Sequence, residues 1–208
     1  ELTALGEVLR RHPQVWIATD DMYEKIWWAN EPFSNIINAC PDLYERTVVI
    51  HAVSKTYSMT GWRIGFAAGP APLMQAMDNI QSQSTSNPTS IAQYAAEAAL
   101  LGDQQCVTDM VKAFKARHDR LVEQLNNLKG VSCLPSDGTF YVFPSFAEAM
   151  TNLGLADDLT LSEFLIEKAD VAVVPGSAFG TPGHVRLSFA TSGALLDTAI
   201  ERIARVLG

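Results

Sequence analysis

The hydrophobic pattern in the first part of the chain predicts a helix followed by alternating strands and helices. Leucines at helical spacing begin at Leu2, and Pro13 ends this pattern. Residues 15–19 and 47–51 are short, continuous apolar runs, which are typical of strands in a sheet covered on both faces. The stretch between them contains a helix-like segment over residues 33–39 and is long enough for a parallel crossover.

A third apolar run, residues 63–69, follows too soon for another helical crossover, so we expect it to pair antiparallel. Residues 72–80 are helix-like, and an amphipathic pattern extends over residues 91–128 with a predicted break near Gly102. Open α/β sheets bind ligands at the carboxyl ends of parallel strands. We therefore expect a functional site directly after the first two strands.

The last part of the chain predicts a small α+β domain, because short strand-like runs and helices alternate there. The strands are predicted over residues 131–134, 138–144, 171–174 and 184–188, and the helices over residues 161–169 and 193–206. We predict two domains, residues 1–90 and residues 91–208, with the long connecting helix in the second.

The composition argues against several classes of partner. The 208 residues include 15 Lys and Arg against 23 Asp and Glu, a net charge of -8, whereas nucleic acids are bound by basic surfaces. No apolar run reaches the roughly 18 residues that span a bilayer, so we expect no membrane protein. Three widely spaced cysteines fit reduced, cytoplasmic thiols. The four histidines lack metal-ligand spacing, so we expect no metal site.

The segment SKTYSMTGWRIG, residues 54–65, carries the strongest chemical signal. It places Lys55 eight residues before Arg63 in a loop with two glycines behind an apolar strand. A lysine amine can form an imine with an aldehyde, and an arginine offers a planar fork of donors that fits phosphate oxygens. A cofactor with both groups suits this pair, so we predict a pyridoxal phosphate (PLP) site.

Asp20 and Tyr23, which follow the neighbouring apolar run, fit the same cofactor. The carboxylate of Asp20 can face the pyridine nitrogen of PLP and hold it protonated, so that the ring withdraws electrons from the substrate. Tyr23, three residues on, can hydrogen-bond the phenolic oxygen of the ring.

The lysine segment resembles the attachment signature of class I PLP-dependent aminotransferases, most closely the bacterial aspartate aminotransferase subgroup, in which GVSKTYAMTGWRIG is a usual form. Ala52 stands where that form has glycine, which questions only the tightness of the turn. GTFYVFP, residues 138–144, and VVPGSAFGTPGHVRLSFA, residues 173–190, are also similar to the subgroup. The resemblance extends over essentially the whole chain and implies the carboxyl-terminal part of a longer enzyme.

This resemblance implies an α/β architecture of the PLP-dependent transferase fold type I. Residues 1–90 would belong to the large, mostly parallel PLP-binding domain, and residues 91–208 would form the small domain. TDDMYE, residues 19–24, is similar to the family's Ser-Asp-Glu-x-Tyr-Glu, which assigns cofactor binding to Asp20 and leaves Asp21 outside it.

Further residue roles follow from the same resemblance. Ser54, Lys55 and Arg63 bind the cofactor together with Asp20 and Tyr23. Arg186 holds the α-carboxylate of the substrate through a bidentate guanidinium.

The implied function is transfer of an amino group from an L-amino acid, aspartate first, to a 2-oxo acid, 2-oxoglutarate first, in two half-reactions. Lys55 moves a proton between the substrate Cα and the cofactor as general base and then general acid. The resemblance also implies a homodimer with small-molecule substrates in the cytoplasm.

Several alternatives stay open at this point. The chain could catalyse another PLP-dependent reaction, act on aromatic amino acids, alanine or kynurenine, or be the effector domain of a transcription regulator. The 208 residues could also be an inactive fragment. We expect this piece alone to be inactive and to expose an apolar sheet edge, because the phosphate loop and several strands of the family precede the part that it resembles.

Overall fold

The computed structural model describes residues 1–208, which divide into two compact units, residues 1–109 and residues 110–208. This division lies later in the chain than the predicted boundary after residue 90. The functional assignment of residues 1–90 and 91–208 to a large and a small domain stays a prediction. Neither unit contains a helix that is both long and apolar enough to cross a membrane.

The first unit consists of a three-stranded sheet and helices around it. Its elements are α1 (Leu2–Arg10), β1 (Ile17–Asp20), α2 (Ile36–Ala39), β2 (Thr47–Ala52), α3 (Val53–Thr56), β3 (Gly65–Ala68), α4 (Ala71–Ser84) and α5 (Ser90–Leu101). Short 3-10 helices precede β2 and β3, at Pro41–Arg46 and Thr60–Trp62. The next helix, α6 (Gln105–Asn126), contains the division between the units.

The sheet has the predicted strand directions. β1 pairs with β2 in parallel, and β2 pairs with β3 antiparallel, in the order β1-β2-β3. The predicted break near Gly102 is also confirmed, because α5 ends at Leu101 and α6 begins at Gln105. The helix predicted over residues 33–39 is shorter than expected. It begins only after Asn35, whose side chain accepts hydrogen bonds from the backbone of Ile37 and Asn38.

The end of α1 is held by Arg46, which lies just before β2. Its guanidinium donates hydrogen bonds of 2.6 to 2.8 Å to the carbonyl oxygens of Leu9, His12 and Val15. The last carbonyl groups of a helix have no partner within the helix, and a cation is favourable beside them. Arg46 thus connects α1 to the sheet.

Close packing of α1 against the end of α2 requires a glycine at position 6. A Cβ atom at Gly6 would collide with the Sγ atom of Cys40, which is 1% exposed. Alanine is favoured over glycine inside a helix by about 1 kcal/mol, but overpacking a closed contact costs about 1–3 kcal/mol. The steric cost is therefore the larger effect, and alanine at position 6 should destabilise the fold.

We expect Gly6→Ala to lower the free energy of unfolding by up to about 2 kcal/mol, measured by urea titration of the chain. Gly193→Ala is the matched control, because Gly193 also lies in a helix but has open space around its Cβ position. The control should leave stability unchanged or slightly raised. Equal stability of the two variants would contradict the packing argument.

The second unit combines a small antiparallel sheet with helices. Its elements are β4 (Tyr141–Val142), α7 (Ala147–Leu153), α8 (Asp158–Ala169), β5 (Val174–Pro175), β6 (Val185–Ser188) and α9 (Gly193–Leu207). The strands are arranged β4-β6-β5, with both pairs antiparallel. The core contains the fully buried side chains Leu125, Phe146, Leu161, Leu165, Val185, Phe189 and Ile203.

This unit differs from the sequence-based expectation in several details. The strands predicted over residues 138–144 and 171–174 are reduced to β4 (Tyr141–Val142) and β5 (Val174–Pro175). The strand predicted over residues 131–134 is wrong, because only Ser132 pairs there, in an isolated bridge with Ser145. The helix α7 was not predicted, since it begins after Phe146 without a capping side chain and is short. α8 and α9 are confirmed, and Asp157 and Ser192 cap them by accepting backbone hydrogen bonds.

The cysteines are all free thiols. Cys40 and Cys133 are buried and Cys106 is exposed. Burial raises the pKa of Cys133 to about 11, so this thiol is protonated at neutral pH and is a poor nucleophile.

Candidate active site

The carboxyl end of β1 separates the two adjacent aspartates by their environments. Asp21 is buried and accepts hydrogen bonds of 2.6 Å from the hydroxyl of Thr19 and from the side-chain amide of Asn35. Its carboxylate thereby supports the residue that caps α2. Asp20 is exposed, lies opposite Ile50 of β2 and has no such partner. Of the two carboxylates, only that of Asp20 is available to a ligand.

The predicted lysine lies in α3, directly after β2. Ser54 and Lys55 are half-buried, while Thr56 is 1% exposed and its hydroxyl has no hydrogen-bond partner. The loop is anchored by the hydroxyl of Tyr57, which donates to Oε1 of Gln104 over 2.9 Å. This contact fixes the lysine turn against the connection between α5 and α6.

Ala52 causes no difficulty for the turn. Its φ and ψ of -154° and 155° are extended values that any residue adopts, so a glycine is not needed at this position. Glycine is needed opposite it in β3, because a Cβ atom at Gly65 would lie 2.9 Å from the carbonyl oxygen of His51. The close approach of β2 and β3 thus depends on Gly65.

Arg63 holds an unusual backbone conformation. Its φ and ψ are 52° and 49°, in the left-handed region, and Ser58 in the same loop has a φ of 54°. Residues other than glycine rarely adopt such angles, and the strain concentrates at functional sites. Nη1 of Arg63 donates to the carbonyl oxygen of Thr60 over 2.9 Å, which orients the guanidinium and leaves most of its donors unused.

Ser54 and Arg63 line one cavity of about 470 Å³ at the ends of β2 and β3. Ile50 and Phe66 contribute apolar walls. A hydroxyl and a guanidinium are donors that suit the oxygens of a phosphate group. Asp20 ends β1, Tyr23 lies three residues further on, and Lys55 follows β2, but none of these three predicted residues lines this cavity.

A contact between Glu24 and His51 links the two cofactor segments. Nε2 of His51 lies 3.2 Å from Oε2 of Glu24, and Nδ1 accepts the backbone N–H of Ala52. Because Nδ1 accepts, the proton lies on Nε2, which donates to the carboxylate. The ring also stacks on Phe66, with centroids 5.2 Å apart.

Lys25 is the second partner of this carboxylate, with its Nζ atom 2.8 Å from Oε1 of Glu24. Partial burial alone would raise the pKa of Glu24, but the hydrogen bonds and charges of Lys25 and His51 outweigh burial and lower it. Glu24 is therefore an anion at neutral pH. The sequence indicated only that His51 lacks metal-ligand spacing and did not reveal this contact.

Arg186 belongs to the second unit, in β6 opposite Val174 of β5. It is half-buried, and its Cζ atom lies 4.5 Å from the ring centroid of Tyr141 and 4.7 Å from that of Phe179. No carboxylate of the chain forms an ion pair with it. The alternation along β4 and β6 could have indicated Tyr141, but no sequence signal indicated Phe179.

No group of three or more histidine, cysteine, aspartate or glutamate side chains is arranged to hold a metal ion. His118 is buried instead in the second unit, where Nε2 accepts the backbone N–H of Ser136 and Nδ1 lies 3.0 Å from Asp119. This histidine has a packing role.

The comparison with protein families gives a match over nearly the whole chain. The model of aminotransferase class I and II matches residues 1–203. An aspartate/prephenate aminotransferase of Nitrosomonas europaea is 54% identical over 213 residues, covering 100% of this chain and 54% of that protein. An aspartate aminotransferase of Geobacillus stearothermophilus is 48% identical over 210 residues, covering 100% of this chain and 52% of that protein.

The solved structures include close matches of the fold. The crystal structure of an aspartate aminotransferase from Rhizobium meliloti aligns with a TM-score of 0.90 at 43% identity, over 98% of this chain and 52% of that one. The chain thus spans about half the length of the relatives it matches.

Proposed function

Because the chain belongs to the class I and II aminotransferase family, we propose that it is part of an enzyme that transfers the amino group of an L-amino acid to a 2-oxo acid. Aspartate is the proposed donor and 2-oxoglutarate the proposed acceptor. The observation that carries the proposal is the family match over residues 1–203, together with relatives that are named aspartate aminotransferase.

The proposed cofactor is PLP, and the donor set of the first unit fits it. Arg63 and Ser54 supply a guanidinium and a hydroxyl in one cavity, which suits a phosphate group. The exposed, unpaired carboxylate of Asp20 suits a protonated ring nitrogen. When bound, PLP supplies an electron-withdrawing ring that stabilises negative charge at the substrate Cα.

We propose a separate role in the reaction for each of the predicted residues. Lys55 would hold the cofactor through its ε-amine in the resting enzyme and, once displaced by the amino group of the substrate, its free amine would carry the proton from the substrate Cα to the cofactor. Tyr23 would donate a hydrogen bond to the phenolic oxygen of the PLP ring. Asp21 is excluded from these roles, because Thr19 and Asn35 occupy its carboxylate oxygens.

Arg186 is the proposed partner of the substrate α-carboxylate. Its guanidinium has no acidic partner within the chain, and two parallel N–H donors match the two oxygens of a carboxylate. Holding that group in one plane orients the Cα–H bond for proton transfer.

The proposal extends to the whole protein. We propose that residues 1–90 complete a PLP-binding large domain with a segment this chain does not contain, that residues 91–208 form the small domain, and that the enzyme is a cytoplasmic homodimer. The 208 residues alone should be inactive, since they span about half of their relatives and leave Asp20 exposed to solvent.

A second acceptor is favoured by one observation. The relative from Nitrosomonas europaea, 54% identical, is named an aspartate/prephenate aminotransferase. Prephenate is a 2-oxo acid, so the same half-reaction could end on it without any change in the roles of Lys55 and Arg186. We propose prephenate as the alternative to 2-oxoglutarate.

The test is the visible spectrum of the full-length protein loaded with PLP. Adding L-aspartate should convert the absorption band of the bound cofactor to that of its aminated form, and adding 2-oxoglutarate or prephenate should restore it. Carbon dioxide release in place of oxaloacetate would contradict transamination and indicate a decarboxylase. The isolated 208-residue chain serves as the control, and its full turnover would contradict the proposal that it is an incomplete part.

A further inference from the structure

Arg186 is flanked by two aromatic rings from different elements of the second unit. Its Cζ atom lies over the ring of Tyr141 at 4.5 Å from the centroid and over the ring of Phe179 at 4.7 Å. Both distances are well within the range of about 6 Å for a cation–π contact. The guanidinium of Arg186 therefore contacts two aromatic rings at once.

The strand register explains the first ring. Tyr141 of β4 lies opposite Ser188 of β6, and Val142 lies opposite Leu187. Since side chains alternate across a strand, Arg186 and Ser188 share one face of the sheet with Tyr141. Tyr141 and Arg186 are diagonal neighbours on that face, a spacing that long and aromatic side chains can bridge.

The second ring comes from the turn that follows β5. Phe179 ends the 3-10 helix Gly176–Phe179, and Gly180 terminates it with a φ of 76°. The ring is held edge-on against Phe143, with centroids 6.0 Å apart and an interplanar angle of 88°. Phe143 in turn stacks on His184. This chain of rings fixes Phe179 although it is 47% exposed.

The exposure of Phe179 makes a purely structural role a weak explanation. A large apolar side chain that leaves 47% of its surface in water contributes little to a core. Its ring lies against the guanidinium of Arg186 and the ring of Phe143. The ring is therefore placed to restrict the orientation of the arginine.

We propose that Tyr141 and Phe179 are positioning residues that hold the guanidinium of Arg186 ready for a carboxylate. Aromatic faces attract the cation without accepting its N–H donors in the way a carboxylate would, so the donors stay available while the side chain loses its rotational freedom. Because the guanidinium is already oriented, less side-chain entropy is lost when a carboxylate binds to it. The inference rests on the proposed role of Arg186 in substrate binding.

The test compares substrate KM and kcat of variants of the full-length enzyme. Phe179→Leu and Tyr141→Leu should each raise the KM for the amino acid roughly 3- to 30-fold, the range of a cation–π contact, with kcat changed less. Phe179→Tyr and Tyr141→Phe keep an aromatic ring and should retain a KM near that of the parent. A loss common to leucine and ring-keeping variants would overturn the positioning role.

Arg186→Gln, measured in parallel, separates failure of the inference from failure of the proposed function. If Arg186→Gln raises KM strongly and neither leucine variant does, the positioning role is wrong and the substrate role stands. If Arg186→Gln leaves KM unchanged, the proposed substrate role is wrong. Because Phe179 is half exposed, its leucine variant should fold, and an unchanged thermal midpoint checks this.

Discussion

Lys55→Ala should abolish amino-group transfer by the full-length enzyme. The ε-amine is the proposed covalent link to the cofactor and the proposed proton carrier at the substrate Cα, and alanine can do neither. Loss of the general acid–base function alone is worth about 10²–10⁴ in rate, and loss of the covalent link adds to it. Turnover should therefore fall below detection in a coupled assay of oxaloacetate formation.

The covalent link between Lys55 and the cofactor can be measured separately from activity. Borohydride treatment of the PLP-loaded parent should attach the cofactor to the peptide that contains Lys55, and mass spectrometry should find no such adduct in Lys55→Ala. Lys129→Ala, at an exposed position, is the matched control and should keep both adduct and activity. Measurable transamination by Lys55→Ala, or an adduct on another lysine, would refute the assignment.

Arg63→Gln should weaken the binding of PLP about 10- to 100-fold. Hydrogen bonds to charged groups are worth about 1.5–3 kcal/mol, and a tenfold change in affinity corresponds to about 1.4 kcal/mol. Arg63→Lys keeps the charge but not the planar fork, so its affinity should lie between those of the parent and Arg63→Gln. Equilibrium dialysis of the full-length protein against PLP measures all three.

A position control and a ligand control make this prediction specific to the cavity. Arg205→Gln removes an exposed arginine of the second unit and should leave the affinity for PLP unchanged. Pyridoxal without its phosphate should bind the parent and Arg63→Gln about equally. A similar loss of affinity for pyridoxal in Arg63→Gln would show that Arg63 acts on the loop rather than on the phosphate.

Much of the fold could be predicted from the sequence because it depends on local patterns. The parallel pairing of β1 and β2 and the antiparallel return of β3 followed from the length of the connections, and the fold class, α/β of the PLP-dependent transferase fold type I, is confirmed by the solved relatives. The strand expected over residues 131–134 failed because the side chain of Asn126 takes up the backbone N–H and C=O of Cys133, and only Ser132 pairs with a neighbour.

The candidate site was predicted as a set of residue types, but their environments were not. The resemblance of TDDMYE assigned the cofactor to Asp20, but the sequence did not show the physical reason: only the contacts of Asp21 with Thr19 and Asn35 leave the carboxylate of Asp20 as the available one. The role of Phe179 was equally hidden, because its contact with Arg186 depends on a turn and not on a repeat.

The sequence by itself determined the order of helices and strands and the identity of the chemical groups, because hydrophobic periodicity and motif spacing are local properties of the chain. Only the tertiary structure decided which carboxylate is buried, that Ser54 and Arg63 share a cavity, and which rings flank Arg186. The reason is physical: burial and side-chain contacts arise between residues far apart in the chain, and strand register and turn geometry set them after the local elements have formed.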